Sequence, residues 1–358
     1  MAELCVYEPG KQIEEVAREM GFKSADEIIK LASNENALGP SPLAVEAIKK
    51  TACLMHRYPD GSAYHLRNAL AKKLKVDPAH VLVGNGSNEL IEFIGHVFLE
   101  TGADIVVAEY SFAIYRLVAG MFQAGVISVP MRNYTHDLDA MLDAITPETK
   151  IVFIANPNNP TGTIVGSDDL DRFMSRVPGN VVVCIDEAYI ELLPAERQPD
   201  TLKYVKDRCN VILLRSFAKS YGLAGLRIGY AVAQEDAIAL MQRVRQPFNV
   251  NSMALVAALA ALKDEEHLRK TRKMIREGLL FFEEHLSRLN VPYVPSVVNF
   301  LLVEVGQGRV FFQKMQKEGV IVRPMDGYGL PRHVRITIGT RKENEHCIQT
   351  LSRVLNTF

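Results

Sequence analysis

The feature that most constrains the fold of this chain is a series of short apolar segments separated by stretches of helix length. The segments are VLVG (81–84), DIVVA (104–108), GVISVP (125–130), KIVFIA (150–155), NVVVCID (180–186), NVILLR (210–215) and RIGYAVA (227–233). They are rich in β-branched residues and run apolar without alternation, which indicates strands that are buried on both faces. Such strands, connected through helices, predict an α/β fold with a mainly parallel seven-stranded sheet between two helical layers.

The length of the chain predicts a second, smaller domain. With 358 residues, 48% of them apolar, the chain exceeds what one compact core usually holds. Residues 243–286 have a mostly helical pattern, and strand-like segments then alternate with helices in NFLLVEV (299–305), VIVRPM (320–325) and HVRITIGT (333–340). We therefore expect a smaller α/β unit at the C-terminus, with the domain boundary near residues 247–265.

The composition excludes several classes of function. Because 41 basic side chains balance 42 acidic ones, the chain has no charge signature of nucleic-acid or membrane-surface binding, and small molecules or a second copy are the expected partners. The five cysteines lack C-x-x-C spacing and are expected to be reduced thiols of a soluble cytoplasmic protein. The histidines lack an H-E-x-x-H pattern, so no metal site is expected, and His136 and His267 lie among charged residues, which predicts solvated side chains.

Polar residues follow the predicted strands at the sheet edge where ligands of parallel α/β proteins gather. After VLVG, the residues Gly86, Ser87 and Asn88 open a helix whose free N–H groups can hold a phosphate, although they are also ordinary helix caps. After KIVFIA, the turn NPNNPTG can aim the Asn159 amide into a cleft, although by itself it is only a loop. Singly, neither segment identifies a site.

An acid and a tyrosine follow the strand NVVVCID. Asp186 ends this apolar segment, and Tyr189 comes three residues later. An aspartate at this position must have a cationic or hydrogen-bonding partner, because burial of an unpaired carboxylate is costly. An ordinary helix N-cap is the alternative interpretation for Asp186.

The segment SFAKSYGLAGLRIGY (216–230) places a single lysine after a buried strand. Most lysines are solvated surface charges, but Lys219 directly follows a strand and precedes a glycine-rich stretch, with Arg227 eight positions further on. Together the strand ends supply a lysine, an acid, an amide, a tyrosine, an arginine and a phosphate cradle. Pyridoxal 5'-phosphate (PLP) needs such a set, because its aldehyde takes a lysine, its ring nitrogen an acid and its phosphate an anion site.

On these motifs the chain resembles the fold-type I PLP-dependent aminotransferases of the aspartate aminotransferase superfamily. The segments that carry the resemblance occur in the family's order: YEPGKQIEEVARE, LASNENALGPSP, RYPDG, GNGSNELIE, NPNNPTG, DEAY, SFAKSYGLAGLRIGY, PFNVN and RITIGT. The NENALGPSP, RYPDG and PFNVN segments are similar to the branch that transaminates histidinol phosphate with 2-oxoglutarate in histidine biosynthesis. Aromatic-amino-acid aminotransferases share some of these segments and are the main rival, and threonine-phosphate decarboxylases are a lesser one.

The resemblance implies roles for individual residues around PLP. Lys219 would bind the cofactor covalently and move protons, Asp186 would pair with the ring nitrogen, and Asn159 and Tyr189 would donate to the phenolic oxygen. The other cofactor residues implied are those of the phosphate site and the stacking ring: Gly86, Ser87, Asn88, Ser216, Arg227 and Phe112. Ala218 stands where many relatives have serine, so one hydroxyl contact to the phosphate is expected to be absent.

The resemblance also implies substrate residues and a homodimer. Arg335 would bind the anionic end of the substrate, with Arg323 as a helper and Asn36 nearby, since the arginine fork binds carboxylate or phosphate bidentately. Tyr58 of RYPDG would reach the cofactor phosphate of the neighbouring subunit, so that two copies share their active sites. The implied regions are an N-terminal arm (1–40) on the small domain, a large PLP-binding domain (41–250) and a small domain (251–358).

The sequence disfavours two other classes of protein. A PLP-fold binding or regulatory protein without turnover is disfavoured, because the chain has no fused DNA-binding segment and all the chemical groups are present. A dehydrogenase is disfavoured because GNGSNE lacks the G-x-G-x-x-G spacing.

Overall fold

The computed structural model describes residues 10–358, and its strands lie in three sheets. The strands are β1 Ile29–Lys30, β2 Val81–Gly84, β3 Asp104–Ala108, β4 Gly125–Val129, β5 Thr149–Ala155, β6 Val182–Asp186, β7 Val211–Ser216, β8 Gly229–Ala233, β9 Tyr293–Val294, β10 Phe300–Glu304, β11 Val320–Ile321, β12 Arg323–Pro324 and β13 His333–Thr337. The helices are α1 Ile13–Met20, α2 Pro42–Thr51, α3 Tyr64–Leu74, α4 Gly86–Phe98, α5 Ile114–Met121, α6 Leu138–Asp143, α7 Ser167–Arg176, α8 Leu202–Asp207, α9 Glu235–Val244, α10 Ser252–Ala261, α11 Glu265–Arg288, α12 Gly308–Lys317 and α13 Arg341–Leu355.

The seven apolar segments form the predicted seven-stranded sheet, in the order β2-β8-β7-β6-β5-β3-β4. Strands β3 to β7 pair in parallel, whereas β8 runs antiparallel to both β2 and β7. The prediction of a mainly parallel α/β sheet is confirmed. Strand β8 begins at Gly229, two residues later than the RIGYAVA segment suggests, because Arg227 has a left-handed backbone with φ of 54°.

The sheet has a separate apolar core on each face, which explains the missing alternation in the sequence. Within β6, Val183 and Ile185 pack into one core, and Val182 and Cys184 pack into the other. Helices such as α7 and α10 cover the first face, and α4 and α5 cover the second. Because both faces are covered, polar side chains are placed at the strand ends.

The C-terminal unit is a four-stranded antiparallel sheet in the order β12-β13-β10-β9, with its own core. The N-terminal strand β1 pairs in parallel with β11 and so joins this unit. Helix α10 packs on α2, and its alanines belong to the core of the large sheet. The division into regions 1–40, 41–250 and 251–358 stays a prediction, and residues 1–9 of the first region lie outside the described residues.

The prediction that His136 and His267 are solvated is wrong. Both side chains are 6% exposed, and burial lowers the pKa of His136 to about 4. His136 lies just before the N-cap of α6 and His267 lies in the first turn of α11, and both side chains turn inward, so charged neighbours along the sequence do not report on their surroundings. Cys5 lies outside the described residues, whereas Cys53, Cys184, Cys209 and Cys347 are free thiols.

The described part of the chain has neither a metal-binding cluster nor a membrane-spanning helix. Between residues 10 and 358, no three or more His, Cys, Asp or Glu side chains are grouped so as to hold a metal ion. The same stretch has no helix with the length and apolar character that crossing a membrane requires.

A buried ion pair joins the carboxyl ends of the two central strands β6 and β7. The Arg215 Nε donates to the Glu187 carboxylate at 2.8 Å, and Thr201 Oγ1 donates to the other carboxylate oxygen at 2.7 Å. The side chains are 11% and 1% exposed. Because Glu187 follows Asp186 directly and Arg215 precedes Ser216, this pair holds together the strand ends that carry the predicted site.

Replacement of Arg215 by methionine should lower the free energy of unfolding by about 3–5 kcal/mol, because it leaves the Glu187 carboxylate buried without a cation. The measurement is chemical denaturation followed by circular dichroism. The matched control is Arg132→Met, which breaks an ion pair to Asp137 in which Arg132 is 77% exposed and should cost less than about 1 kcal/mol. Equal losses in the two variants would contradict the importance of the buried pair.

Candidate active site

A cavity of about 240 Å³ opens at the carboxyl ends of the parallel strands, beside the small C-terminal sheet. Strands β12 and β13 of the small sheet contribute Arg323 and Arg335 to its wall. The structure brings eleven predicted site residues together here: Ser87, Asn88, Phe112, Asn159, Asp186, Tyr189, Ser216, Lys219, Arg227, Arg323 and Arg335. Their assembly supports the expectation that strand ends gather in one site, while the role of each residue stays a prediction.

Asp186 lies at the end of the central strand β6 and is 5% exposed. The Tyr115 hydroxyl donates to its carboxylate at 2.8 Å, and the Ala188 N–H donates at 3.1 Å. The prediction of a hydrogen-bonding partner for this acid is confirmed. Burial raises the pKa of Asp186 to about 6, against the opposing hydrogen bond from Tyr115, so the group is mostly ionised at neutral pH.

The Lys219 ammonium lies in the cavity, 3.3 Å from the Ser33 carbonyl oxygen and 5.6 Å from the centre of the Tyr189 ring. Burial lowers its pKa to about 8, and the positive charges of Arg335 and, to a smaller extent, Arg227 act in the same direction. A lysine of this kind has a substantial neutral fraction near neutral pH. A neutral amine can act as a nucleophile or a base.

This pKa predicts how Lys219 affects stability. Because the folded-state pKa of about 8 lies below the ordinary value of 10.5, the unfolded chain binds the lysine proton more tightly, and stability rises with pH between these two values. Lys219→Met should therefore be more stable than the wild type at pH 7 by about 1–3 kcal/mol, and this gain should vanish towards pH 10.5. Denaturant midpoints of the two cofactor-free proteins across that range provide the check; a gain that is constant with pH would contradict the pKa.

The N-terminus of α4 forms an anion site with Arg227. Gly86 opens this helix with φ of 80°, a conformation that residues with a side chain rarely adopt, and an Arg227 guanidinium nitrogen lies 2.6 Å from the position that a Cβ atom would take. The Ser216 hydroxyl accepts a hydrogen bond from Ala218 N–H at 3.1 Å and faces the same cavity. A helix N-terminus, a guanidinium and a hydroxyl are donors that suit a phosphate group.

Asn159 and Arg335 are linked across the cavity. An Arg335 guanidinium nitrogen donates to Asn159 Oδ1, and another donates to the Ala32 carbonyl oxygen at 2.9 Å. Because its oxygen faces Arg335, the Asn159 amide has its nitrogen available to donate to a further ligand. The predicted contact with a phenolic oxygen requires such a hydrogen-bond donor.

Aromatic rings form one wall of the cavity. Phe112 lines it and meets the Tyr115 ring edge-on at 5.8 Å, and Tyr115 stacks on Phe153 at 4.5 Å. The hydroxyl of Tyr189 keeps its proton at neutral pH, because burial raises its pKa to about 12. The cavity therefore combines a flat apolar surface with a phenolic hydrogen-bond donor.

Two predicted residues lie elsewhere. The Asn36 amide donates to the carbonyl oxygens of Lys219 and Ser220 and to the Thr271 hydroxyl, so it supports the lysine loop from outside the cavity. Tyr58 is 83% exposed and stacks on Phe248 at 4.9 Å, away from the cavity of its own chain. We therefore leave Asn36 out of the proposed substrate contacts.

Two residues that the sequence does not single out contact the predicted site residues. Tyr115 holds Asp186, and its only signal in the sequence is its place in the SFAIY segment, next to Phe112. Asn34 donates to the Tyr189 hydroxyl at 2.9 Å. No sequence pattern indicates this contact, because 155 residues separate the two positions.

The fold and this site define a class of protein. A sequence model of the family described as aminotransferase class I and II matches residues 26–351, and the chain belongs to this family. Among its relatives, the histidinol-phosphate aminotransferase of Akkermansia muciniphila is 49% identical over 99% of this chain and 97% of that protein. The histidinol-phosphate aminotransferase of Moorella thermoacetica is 48% identical over 98% of this chain and 90% of that protein.

A solved structure has the same fold. The crystal structure of histidinol-phosphate aminotransferase from Sinorhizobium meliloti in complex with pyridoxal-5'-phosphate has a TM-score of 0.89 and 26% identity, and the likeness covers 98% of this chain and 96% of that one. Aminotransferases of this class use PLP, and the residues present here fit it. The clearest evidence for this fit is at Gly86, where the absence of a Cβ atom leaves room for Arg227 at the N-terminus of α4. The second observation is the Lys219 amine, whose pKa is lowered to about 8.

Proposed function

We propose that this protein transfers an amino group between histidinol phosphate and 2-oxoglutarate, forming imidazole acetol phosphate and glutamate in a reversible step of histidine biosynthesis. The observation that carries the proposal is the placement of Lys219, with a pKa of about 8, in one cavity with Asp186 and Arg335. The relatives that are 48–49% identical carry the name of this activity, which supports the choice of substrate.

When bound, PLP supplies an aldehyde that takes up the amino group and a ring that accepts electrons from the substrate carbon. Lys219 holds the cofactor, and its freed Nζ then moves a proton to and from the reacting carbon, for which its pKa of about 8 is suitable. Asp186 holds the proton on the ring nitrogen. Asn159 and Tyr189 donate to the phenolic oxygen.

The remaining residues position the cofactor. Ser216, Arg227 and the N-terminus of α4 would hold its phosphate, and Phe112 would supply an apolar surface for its ring. The alanine at position 218 has no hydroxyl to add to these phosphate contacts.

Two guanidinium groups bind the substrates. Histidinol phosphate and glutamate share an anionic end, a phosphate in one and a carboxylate in the other. Arg335 and Arg323 line the same cavity, and a guanidinium group can bind either anion by donating two hydrogen bonds. One pocket can thus serve both half-reactions.

The test is a spectral titration of the purified, PLP-loaded protein with histidinol phosphate, with phenylalanine and threonine phosphate in parallel. We expect histidinol phosphate to convert the visible band of the lysine-bound cofactor at the lowest concentration. If histidinol phosphate leaves the band unchanged, the proposed substrate is wrong, and a stronger response to phenylalanine would favour an aromatic aminotransferase.

We also propose that two copies of the chain assemble and share their active sites. An apolar groove of about 270 Å³ lies between the segment around Tyr58 and α10. Its surroundings expose large apolar side chains: Leu54 46%, Met55 72%, Tyr58 83% and Phe248 46%. Exposed apolar surface of this extent fits an interface with a second copy, in which Tyr58 reaches the partner's cofactor phosphate. The free thiols fit a cytoplasmic location.

Mixed dimers test the shared site. In a dimer of a Lys219→Ala chain and a Tyr58→Ala chain, one of the two sites combines an intact Lys219 with an intact Tyr58. Co-expression should restore about a quarter of the wild-type rate by random pairing. As a control, the pair Lys219→Ala and Asp186→Ala should restore nothing, because every site then lacks one residue. Equal behaviour of the two pairs would contradict shared sites.

A further inference from the structure

The Asn34 side chain lies between Tyr189 and the small sheet. It is 1% exposed, and its backbone has φ of 54°, a conformation that asparagine adopts more readily than most residues with a side chain. Its carbonyl oxygen accepts a hydrogen bond from Asn299 Nδ2 at 3.0 Å, and its N–H donates to Thr337 Oγ1 at 2.9 Å. The residue is therefore held at both backbone polar groups.

These contacts also fix which way the Asn34 amide faces. Thr337 Oγ1 donates to Asn34 Oδ1 at 3.2 Å, and Asn34 Nδ2 donates to the Tyr189 hydroxyl at 2.9 Å. If the amide were reversed, its nitrogen would face Thr337 Oγ1, which already accepts from the Asn34 N–H, and the threonine hydrogen would lose this acceptor. The observed orientation gives the Thr337 hydroxyl hydrogen an acceptor and the Tyr189 oxygen a donor.

The amide orientation determines what the Tyr189 hydroxyl can do. A phenol has one hydrogen, and here its oxygen accepts from Asn34, so its own hydrogen remains for a second partner. Tyr189 lines the cavity that holds Lys219, and Phe300 of the small sheet packs edge-on against its ring at 5.4 Å. The free direction for the phenolic hydrogen is therefore the cavity.

We infer that Asn34 is a positioning residue for Tyr189: its amide, held by Thr337, turns the Tyr189 hydroxyl into a donor towards the bound cofactor. The inference rests on the proposed PLP-dependent function. Asn34 belongs to the N-terminal loop and Thr337 to the small sheet, so both regions would influence the pKa of the bond between Lys219 and the cofactor. A hydroxyl that donates to the phenolic oxygen stabilises the anionic oxygen, and this lowers the pKa of the neighbouring protonated link.

Asn34→Asp is the decisive variant, because aspartate has the same size and also adopts the left-handed backbone. Its carboxylate accepts from the Tyr189 hydroxyl and turns the hydrogen away from the cavity. The readout is the pKa obtained from the visible absorbance of the bound cofactor as a function of pH, without substrate. We expect Asn34→Asp to raise this pKa by about one unit, and Tyr189→Phe should raise it by a similar amount.

A double-variant cycle separates this mechanism from the effect of an added charge. A buried carboxylate would raise the pKa whether or not Tyr189 has a hydroxyl, so its effect would add to that of Tyr189→Phe. If the inference is correct, Asn34→Asp raises the pKa by clearly less in the Tyr189→Phe background than in the wild type, because the part of its effect that acts through the hydroxyl is already lost. Additive shifts, or an unchanged pKa in Asn34→Asp, would overturn it.

A second, neutral variant covers the case in which Asn34→Asp does not bind the cofactor. Thr337→Val keeps the shape and removes the hydroxyl that orients the amide, so it should raise the pKa in the same direction, again without addition to Tyr189→Phe. Additive shifts in this cycle, or no shift, would equally count against the inference. Absence of the cofactor band in the wild type would instead refute the proposed function.

Discussion

Replacement of Lys219 by alanine is expected to lower the transamination rate by at least about 10⁴-fold, because it removes the nucleophile, the base and the acid together. The structure supports this size of effect, since the Lys219 ammonium lies inside the cavity and its pKa is lowered to about 8. Initial rates of 2-oxoglutarate formation from glutamate and imidazole acetol phosphate provide the measurement. The visible band of the lysine-bound cofactor should be absent from the same variant.

The matched control is Lys203→Ala. Lys203 forms a surface ion pair with Asp171 at 2.6 Å, its side chain is 40% exposed, and it does not line the cavity. Its removal should leave the rate within about twofold of the wild type, since exposed ion pairs contribute little. If Lys219→Ala retained a tenth of the wild-type rate, a different residue would have to carry the proton transfer.

Replacement of Asp186 by alanine is expected to lower the turnover rate by at least about 10²-fold, because a charge-assisted hydrogen bond to the ring nitrogen is lost. Asp186 is 5% exposed, and burial raises its pKa to about 6, so the carboxylate is ionised and available at neutral pH. The measurement is the rate at saturating substrate. Because Asp186 does not contact the substrate in this proposal, the Michaelis constants should change much less than the rate.

Tyr115→Phe is a milder change that tests the same role, because it keeps the Asp186 carboxylate and alters only its pKa. It removes the 2.8 Å hydrogen bond that opposes the effect of burial, so the pKa of Asp186 should rise further above about 6. The acidic limb of the pH–rate profile should move to higher pH, with a loss of rate below about tenfold at pH 8. A wild-type rate in Asp186→Ala would refute the role of the acid, whatever the behaviour of Tyr115→Phe.

Much of the site could be predicted because the information is local. Each apolar run determines a strand, and the residues that follow it lie at one edge of a parallel sheet. Strand-end positions alone thus predict Asp186 and Lys219 in one cavity, where the structure places them. The resemblance extended this prediction to the arginines of the small sheet, which composition and spacing alone do not identify.

Contacts between distant segments were not predictable in this way. Arg335 donates to Asn159 across 176 positions, and Asn34 reaches Tyr189 across 155. His136 and His267 are buried although their charged sequence neighbours predict solvated side chains, since sequence neighbours do not report which side of a segment packs inward. Asn36 was assigned to the substrate, whereas its amide supports the Lys219 backbone.

The sequence by itself determined the α/β architecture, the cofactor class and the strand-end residues, because apolar periodicity and strand-terminal chemistry are local properties of the chain. Only the tertiary structure decided which groups share hydrogen bonds, how far burial shifts the pKa values of Lys219 and Asp186, and which residue donates to the Tyr189 hydroxyl oxygen. These quantities depend on desolvation and on the juxtaposition of the two sheets. Both arise only when the chain has folded.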